Sequence, residues 1–494
     1  DHREYRVQEY GWTEGGHPLK YNGRYYLMYA SIGLEFYSYG HGVYVADDPM
    51  GPYVYEEHNP FTLKTTGVAP GAGHGSIFVD KQNNVWCVAM LPYALEGGRG
   101  RGATLLALYP AGVDAEGVMH GNTDFGDYPQ YLPGVVENPT EDNFTGWLLL
   151  SLDKKVEASS TLENFWTAYA VDENPKTYWS AETGDPGEYI TVDLGTVCDI
   201  RGIQILWDRT VGLVPSRTPL DRYRSYTVEV SDDNENWTLI IDKSNNPQDL
   251  MSEYIELPTA VYARYVKLTN VFTPDDGKFA VKAFRVFGNP EEATWTKVEN
   301  VTAVRNQLDR RYAHLVWEQV DGAEGYIVRY GIEPNKLYNS YMVYWDSYLN
   351  IPSLNVQSEY YFEVEAFSSN TPRYVENTFE TRGRGAELDL RKGEGWPPST
   401  VRVMTYETYG RDEVYVFDNI TPGTYSLSHT FGVRIWGPVQ LTEEHLIGTG
   451  TEPTVTALNL TQFGIGSTQW GTVEVRVYPG EESGRIEVTF KYDK

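Results

Sequence analysis

Asn22-Gly23-Arg24-Tyr25-Tyr26-Leu27-Met28-Tyr29-Ala30 is a turn signal followed by a short aromatic strand. Tyr-rich runs bounded by Gly and Asn favour β structure over helix. Upstream lies Trp12-Thr13-Glu14-Gly15-Gly16-His17, and downstream Gly42-Val43-Tyr44-Val45-Ala46-Asp47-Asp48-Pro49-Met50-Gly51-Pro52-Tyr53. Gly71-Ala72-Gly73-His74-Gly75-Ser76 and Asn84-Val85-Trp86 follow. The cadence is strand, turn, strand, with polar residues at selected strand starts. It suits propeller blades, whose inner strand ends line a central channel.

The same texture runs through the rest of the chain, in Tyr226-Thr227-Val228-Glu229-Val230 and Tyr360-Tyr361-Phe362-Glu363-Val364-Glu365. Helical periodicity is nearly absent, so the expected class is all-β. At about 100–200 residues per domain, a chain of 494 residues holds three to five domains. Turn-rich stretches at Pro133–Asp142, Gly288–Glu292 and Thr381–Gly385 divide it. The expected blocks are 1–140, 150–288, 296–380 and 386–494.

Charge narrows the partners. A formal net charge of −29 disfavours a nucleic-acid backbone, which needs a basic footprint. It also disfavours an anionic membrane surface, while a neutral sugar stays compatible. No apolar run reaches the ~20 residues of a membrane span. Cys87 and Cys198 fall in different blocks and form no metal-type spacing. The 39 Tyr and 13 Trp fill half-buried strand positions or serve as flat platforms for sugar faces, and composition leaves both open.

In block one, Glu14-Gly15 followed by Gly23-Arg24-Tyr25-Tyr26-Leu27-Met28-Tyr29, and then Gly71 to Ser76, resembles glycoside hydrolase family 43. That resemblance implies a five-bladed β-propeller and hydrolysis with inversion. One carboxylic acid protonates the leaving oxygen, and a second carboxylate about 6.5–9.5 Å away activates water. Glu14 corresponds to the general acid; its alternative is a turn glutamate capping the next strand. His74 is expected near the channel axis, orienting water, a metal or a carboxylate, or else buried and satisfied by backbone. Trp12 either stacks on sugar or packs a blade.

Two departures from the family pattern matter. The catalytic base and the Asp that tunes the acid belong to blades before Glu14, and the sequence starts 13 residues before it. Block one therefore accounts for about two and a half blades at 40–45 residues each. The expectation is the C-terminal portion of a longer protein or one product of a cleaved one. Secondly, the Arg pair that many relatives carry before Tyr109-Pro110-Ala111-Gly112 is replaced by Gly102–Leu108, with Arg99 and Arg101 out of register.

Block two carries Asp172-Glu173-Asn174-Pro175-Lys176-Thr177-Tyr178-Trp179, Tyr189-Ile190-Thr191-Val192-Asp193-Leu194-Gly195, Ala263-Arg264-Tyr265-Val266-Lys267-Leu268 and Phe284-Arg285-Val286-Phe287-Gly288. It resembles a discoidin-type jelly roll, the fold of factor V/VIII C domains and family 32 carbohydrate-binding modules. The resemblance implies a structural Ca²⁺ held by Asp172, Asn174 and Thr177, hard oxygens at close spacing; an Asx-turn without metal is the alternative. Trp166, Trp207 and Arg209 are candidate sugar contacts. Block three resembles a fibronectin type III sandwich with Trp317 and Leu354 in its core. Block four, with Trp396, Trp436 and Trp470 as platform or core, looks like a β-sandwich appended to carbohydrate-active enzymes and open to a carbohydrate-binding role.

The resemblance implies an exo-acting glycosidase akin to α-L-arabinofuranosidases and β-xylosidases. It would trim terminal sugars from branched polysaccharides outside the cell, at its surface or in the periplasm. The alternative is an inactive glycan-binding or surface-assembly protein derived from such an enzyme. No organic cofactor is expected.

Overall fold

The computed structural model describes residues 13–31, 39–64, 66–68, 71–92, 104–162, 165–173, 177–208, 223–274, 277–290, 293–305, 310–311, 313–351 and 353–374, and the backbone of seven strands between 390 and 492. The architecture is all-β. Among the described residues, no helix is long and apolar enough to cross a membrane.

Block one forms two antiparallel meanders with the look of propeller blades. The first comprises β1 (Thr13–Tyr21), β2 (Arg24–Ser31), β3 (Gly40–Ala46) and β4 (Val54–Tyr55), with β5 (Thr62–Leu63) also paired to β3. The second runs β6 (Gly73–Val79), β7 (Val85–Pro92), β8 (Thr104–Val113) and β9 (Met119–Gly121). Asn22 and Gly23, at φ 48° and 86°, make the two-residue turn that pairs Tyr21 with Arg24. That is the Asn-Gly hairpin in which both central residues need positive φ. Tyr26, Met28, Val43, Val45, Ile77, Val85 and Cys87 pack between the sheets. The innermost strands β1 and β6 are neighbours, and the Ile77 amide donates to His17 Nδ1 at 3.4 Å.

Block two is one eight-stranded sheet curled around its own core. It contains β10 (Leu148–Leu149), β11 (Lys155–Ala158), β12 (Trp179–Ser180), β13 (Tyr189–Trp207), β14 (Ser225–Ser231), β15 (Thr238–Lys243), β16 (Ser252–Phe272) and β17 (Ala280–Gly288). The long strands β13 and β16 break register at Asp193/Cys198 and Ile200/Gly202. Such irregularities bend a strand so that both of its halves face one core. Trp179, Ile190, Val192, Ile203, Ile205, Tyr226, Val228, Val266, Leu268 and Phe279 fill that core.

A two-sheet sandwich follows, with β18 (Thr294–Lys297), β19 (Thr302–Arg305), β20 (Ala313–Val316), β21 (Gly325–Gly331), β22 (Asn339–Tyr344), β23 (Tyr348–Ile351) and β24 (Tyr361–Ser368). The sheets order as β18-β24-β21-β22 and β19-β20-β23. Trp317 and Leu354 are both buried between them. The last seven strands, β25 (Leu390–Lys392), β26 (Glu413–Ile420), β27 (Gly423–Phe431), β28 (Val439–Ile447), β29 (Thr454–Thr461), β30 (Gln469–Val477) and β31 (Gly484–Tyr492), form the sheets β25-β27-β30-β29 and β26-β31-β28. The side chains of Trp396, Trp436 and Trp470, and the Thr381–Gly385 stretch, lie outside the described residues.

Blocks one to three share a core. The stretch expected as a linker after Pro133 carries a short helix, α1 (Pro139–Asp142), before the chain turns back to β10. Phe125, Tyr128, Leu148, Leu149, Phe287, Ile327, Met342 and Phe367 then pack as one cluster drawn from all three blocks. Phe125 stacks on Phe144 at 4.4 Å. Beside them sits Arg285 of β17, buried, with all five N–H donors engaged. Nε and Nη2 hold Glu173 at 3.0 and 2.9 Å. Nη1 meets the Asp127 carbonyl at 2.6 Å and Gln204 at 2.8 Å, and Nη2 also faces Asp127 Oδ2 at 3.3 Å. Lys64 closes on Asp127 Oδ1 at 3.0 Å. Gly67, at φ 88°, is the residue that fits beside that carboxylate, because a Cβ there would lie 2.1 Å from Asp127 Oδ2. Tyr55 donates to Asn355 at 2.7 Å and Lys154 to Thr371 at 2.7 Å, so the third block is tied to both others.

Candidate functional site

Glu14 and His74 occupy matching positions in the two blades. Glu14 pairs with Ala30 and His17 with Met28, so β1 advances three residues while β2 retreats two. Gly73 pairs with Met90 and Ser76 with Val88, so β6 does the same against β7. Each innermost strand thus carries a one-residue bulge next to the candidate side chain. Bulges re-aim side chains and recur beside active sites. In the second bulge His74 has φ 43°. A Cβ on Gly75 would sit 1.7 Å from the Val88 carbonyl oxygen, so this turn requires glycine.

The two bulges bring the side chains together. His74 Nδ1 lies 3.0 Å from Glu14 Oε1, and the Tyr39 hydroxyl donates to the same oxygen at 3.4 Å. The Glu14 side chain is 32% exposed and that of His74 53%. The His74 ring is therefore exposed rather than buried in a backbone-satisfied turn. The pair places a half-open, hydrogen-bonded carboxyl group within reach of solvent, a geometry that, when the carboxyl is protonated, allows proton transfer to an incoming oxygen. Tyr39 was not a sequence candidate, since nothing in its own segment marks it. Trp12 lies outside the described residues, as do Arg99 and Arg101.

On the curled sheet of block two, the expected Ca²⁺ loop is described in part. The Thr177 hydroxyl meets both Asp172 carboxylate oxygens at 2.9 Å, and Asn174 lies outside the described residues. Between them Glu173, at φ 53°, turns inward to Arg285 rather than outward. Carboxylate and hydroxyl oxygens converging in one loop are a donor set that fits a hard cation. Among the described residues, no group of three or more His, Cys, Asp and Glu side chains gathers as a metal cluster.

Of the aromatic candidates here, Trp166 is 44% exposed. Trp207 is a correction: it is 2% exposed, packed against Tyr226 and Phe279 in the sheet core. Its position follows from parity, since Ile203, Ile205 and Trp207 alternate onto the buried face. Arg209 lies outside the described residues. Cys87 and Cys198 are buried thiols in separate cores, and burial pushes their pKa up to about 12 and about 11.

No curated protein matches the chain. Among solved structures, a chitosan-binding module of a chitosanase/glucanase from Paenibacillus sp. IK-5 is 25% identical, covering 28% of this chain and 98% of its own, with a TM-score of 0.24. The family 32 carbohydrate-binding module of a Clostridium perfringens protein, in complex with galactose, is 18% identical over 29% of this chain and 98% of its own, at 0.24. A structure described as a glycoside hydrolase is 20% identical, covering 56% of this chain and 60% of its own, at 0.31. Residues 2–108 match glycosyl hydrolases family 43, and residues 155–274 match the F5/8 type C domain. The chain is thus similar to family 43 glycosyl hydrolases over residues 2–108 and to F5/8 type C domains over residues 155–274.

Proposed function

We propose that the protein is a secreted, exo-acting glycoside hydrolase resembling α-L-arabinofuranosidases and β-xylosidases, which removes terminal sugars from branched polysaccharides with inversion. The observation that carries this reading is the Glu14–His74 hydrogen bond at 3.0 Å, built by twin bulges inside the family 43 segment. Glu14, protonated, gives its proton to the glycosidic oxygen as the bond to the anomeric carbon breaks. Water adds from the opposite face and loses its proton to a second carboxylate. In this reading that base comes from blades preceding β1 in the full-length protein. His74 and Tyr39 fix the direction of the Glu14 carboxyl.

The discoidin-type domain, a fibronectin type III-like third block (296–380) and a carbohydrate-binding fourth (386–494) complete an extracellular, cell-surface or periplasmic assembly. Asp172 and Thr177, with Asn174, would hold a structural Ca²⁺ that stiffens their loop. The test uses the full-length protein on aryl α-L-arabinofuranosides and β-xylosides. Glu14→Gln is expected to lower kcat/KM by about 10²–10⁴-fold, and the first sugar released is expected to show inverted anomeric configuration by NMR. Retained configuration or unimpaired hydrolysis by Glu14→Gln overturns the reading.

A second reading is an inactive glycan-binding protein. It is favoured by Trp166, an exposed ring on the discoidin-type domain that offers a sugar platform whatever Glu14 does.

A further inference from the structure

We infer that His41 is the positioning residue of the candidate acid, holding the His74 turn and Glu14 in register from inside the fold. This rests on the reading of Glu14 as general acid and adds to it a residue that no motif marks.

His41 is fully buried on β3. In the first sheet Glu14 pairs with Ala30, Ala30 with His41, and His41 with Thr62. The candidate acid and His41 therefore lie in one cross-strand row. From that row the imidazole reaches into the second sheet. Its Nε2 accepts the Gly75 amide at 3.0 Å. With Nε2 as acceptor, the ring proton sits on Nδ1 and is donated to Thr62 Oγ1 at 2.8 Å. The Thr62 hydroxyl then donates to the Ala72 carbonyl at 3.3 Å. The relay ends on backbone at Ala72 and Gly75, the two flanks of the His74 turn.

One side chain thus references both partners, Glu14 through the sheet and His74 through its turn. Burial, with His74 nearby, pushes the His41 pKa down to about 3. The ring stays neutral and keeps one tautomer across any ordinary working range. Cys87 Sγ, 3.7 Å from Nδ1, stays a neutral thiol. His41 touches neither substrate nor reacting atoms in this arrangement, so its effect passes through Glu14.

A misplaced acid hurts only reactions that need protonation of the leaving oxygen. The test therefore measures kcat and KM for His41→Phe on two glycosides of the same sugar, one with a poor leaving group (phenol) and one with an activated one (2,4-dinitrophenol). The expected result is a kcat about 10–100-fold lower on the phenyl glycoside, KM within about twofold, and nearly wild-type turnover of the dinitrophenyl glycoside. His41→Gln, which keeps an acceptor for the Gly75 amide, is expected to recover part of the loss. Equal losses on both substrates, or none on either, overturn the inference.

Thr62→Val, which removes the relay hydroxyl at nearly constant shape, decides the matter if His41→Phe does not fold. It is expected to show the same leaving-group pattern at smaller amplitude, and its absence counts against the inference. Glu14→Gln is run alongside. If Glu14→Gln itself shows no leaving-group dependence, the general-acid reading fails. If it does and the His41 and Thr62 variants do not, only the positioning role fails.

Discussion

Of the described clusters that pair carboxylates with cationic or cationisable partners, two differ sharply in burial. Glu14 and His74 meet across two blades with a third to a half of each side chain exposed. Asp127 and Glu173 meet Lys64 and Arg285 at the junction of blocks one and two, all four nearly sealed from water. Exposed pairs contribute about 0–1 kcal/mol, so Glu14–His74 adds little to the fold and stays accessible to a reactant. The junction is the reverse. Burial works against the charged form of Asp127, yet Lys64 and Arg285 outweigh it and hold its carboxyl below the usual range. Burial pushes Glu173 up in spite of Arg285. A sealed cluster of this kind is not necessarily better than apolar packing, but losing one member is costly. Similar chemistry in one chain therefore supports domain docking at one place and a candidate reaction at the other.

The largest effect is expected where that contrast is sharpest. Arg285→Met fills the same space but leaves Asp127 and Glu173 with one cation between them. Removing one partner of a buried pair costs about 3–5 kcal/mol. Thermal unfolding should show a clear drop in the transition that includes blocks one and two, while hydrolysis per folded molecule is unchanged. An unaltered melt would mean that the blocks are held by Phe125, Tyr128, Phe287 and Phe367 alone.

Histidines sharpen the comparison because two of them respond to pH with opposite signs. His41 is held below its unfolded value of about 6.5 by burial. Its contribution is whole above that pH. It is lost as pH falls toward 3, at about 1.4 kcal/mol per unit while the unfolded chain alone takes the proton. His58 is the opposite case. Burial and Lys336 oppose its charge, but Glu56 at 2.9 Å and Glu333 of block three at 3.2 Å raise its pKa. His120 and Tyr338, stacked on each other at 4.0 Å, pack beside it. Its contribution is present below about 6.5 and lost as pH rises through the folded value. Melting temperatures against pH should show a shallower acid-side slope in His41→Phe, the remainder including His120, which burial holds at about 4, and a shallower neutral-to-alkaline slope in His58→Gln. The same slope in both variants and in the wild type would remove these two residues from the account.

How far the sequence reveals this depends on whether the signal is local. The strand at Arg24–Ser31, the turn before it and the buried Trp317 and Leu354 follow from alternation and turn chemistry. Glu14 and His74 were legible because each sits in its own motif, although their 3.0 Å approach needed two strands sixty residues apart. His41 was not legible. It stands just ahead of an apolar strand run, and its partners Thr62 and Gly75 belong to other segments. Arg285 looked like one polar residue in Phe284–Gly288; only the folded junction shows its five bonds spent on Asp127, Gln204 and Glu173. Trp207 departs from expectation for a different reason: its aromatic type suggests a platform, but its parity with Ile203 and Ile205 carries it into the core. The helix α1 was hidden inside a stretch that Pro and Gly marked as a linker.

The smallest expected effect carries the comparison furthest. Glu14→Gln keeps the size of the side chain and an oxygen for the Tyr39 hydroxyl. It removes only the ionisable carboxyl facing a half-exposed His74. Its stability should stay within about 1 kcal/mol of wild type, measured by the same thermal unfolding that reports the Arg285→Met loss. A carboxyl group whose removal sharply lowers turnover of unactivated glycosides while hardly moving the melt is one the fold does not need. If Glu14→Gln instead melts as early as Arg285→Met, the exposed pair is structural after all, and burial is not what separates the two clusters.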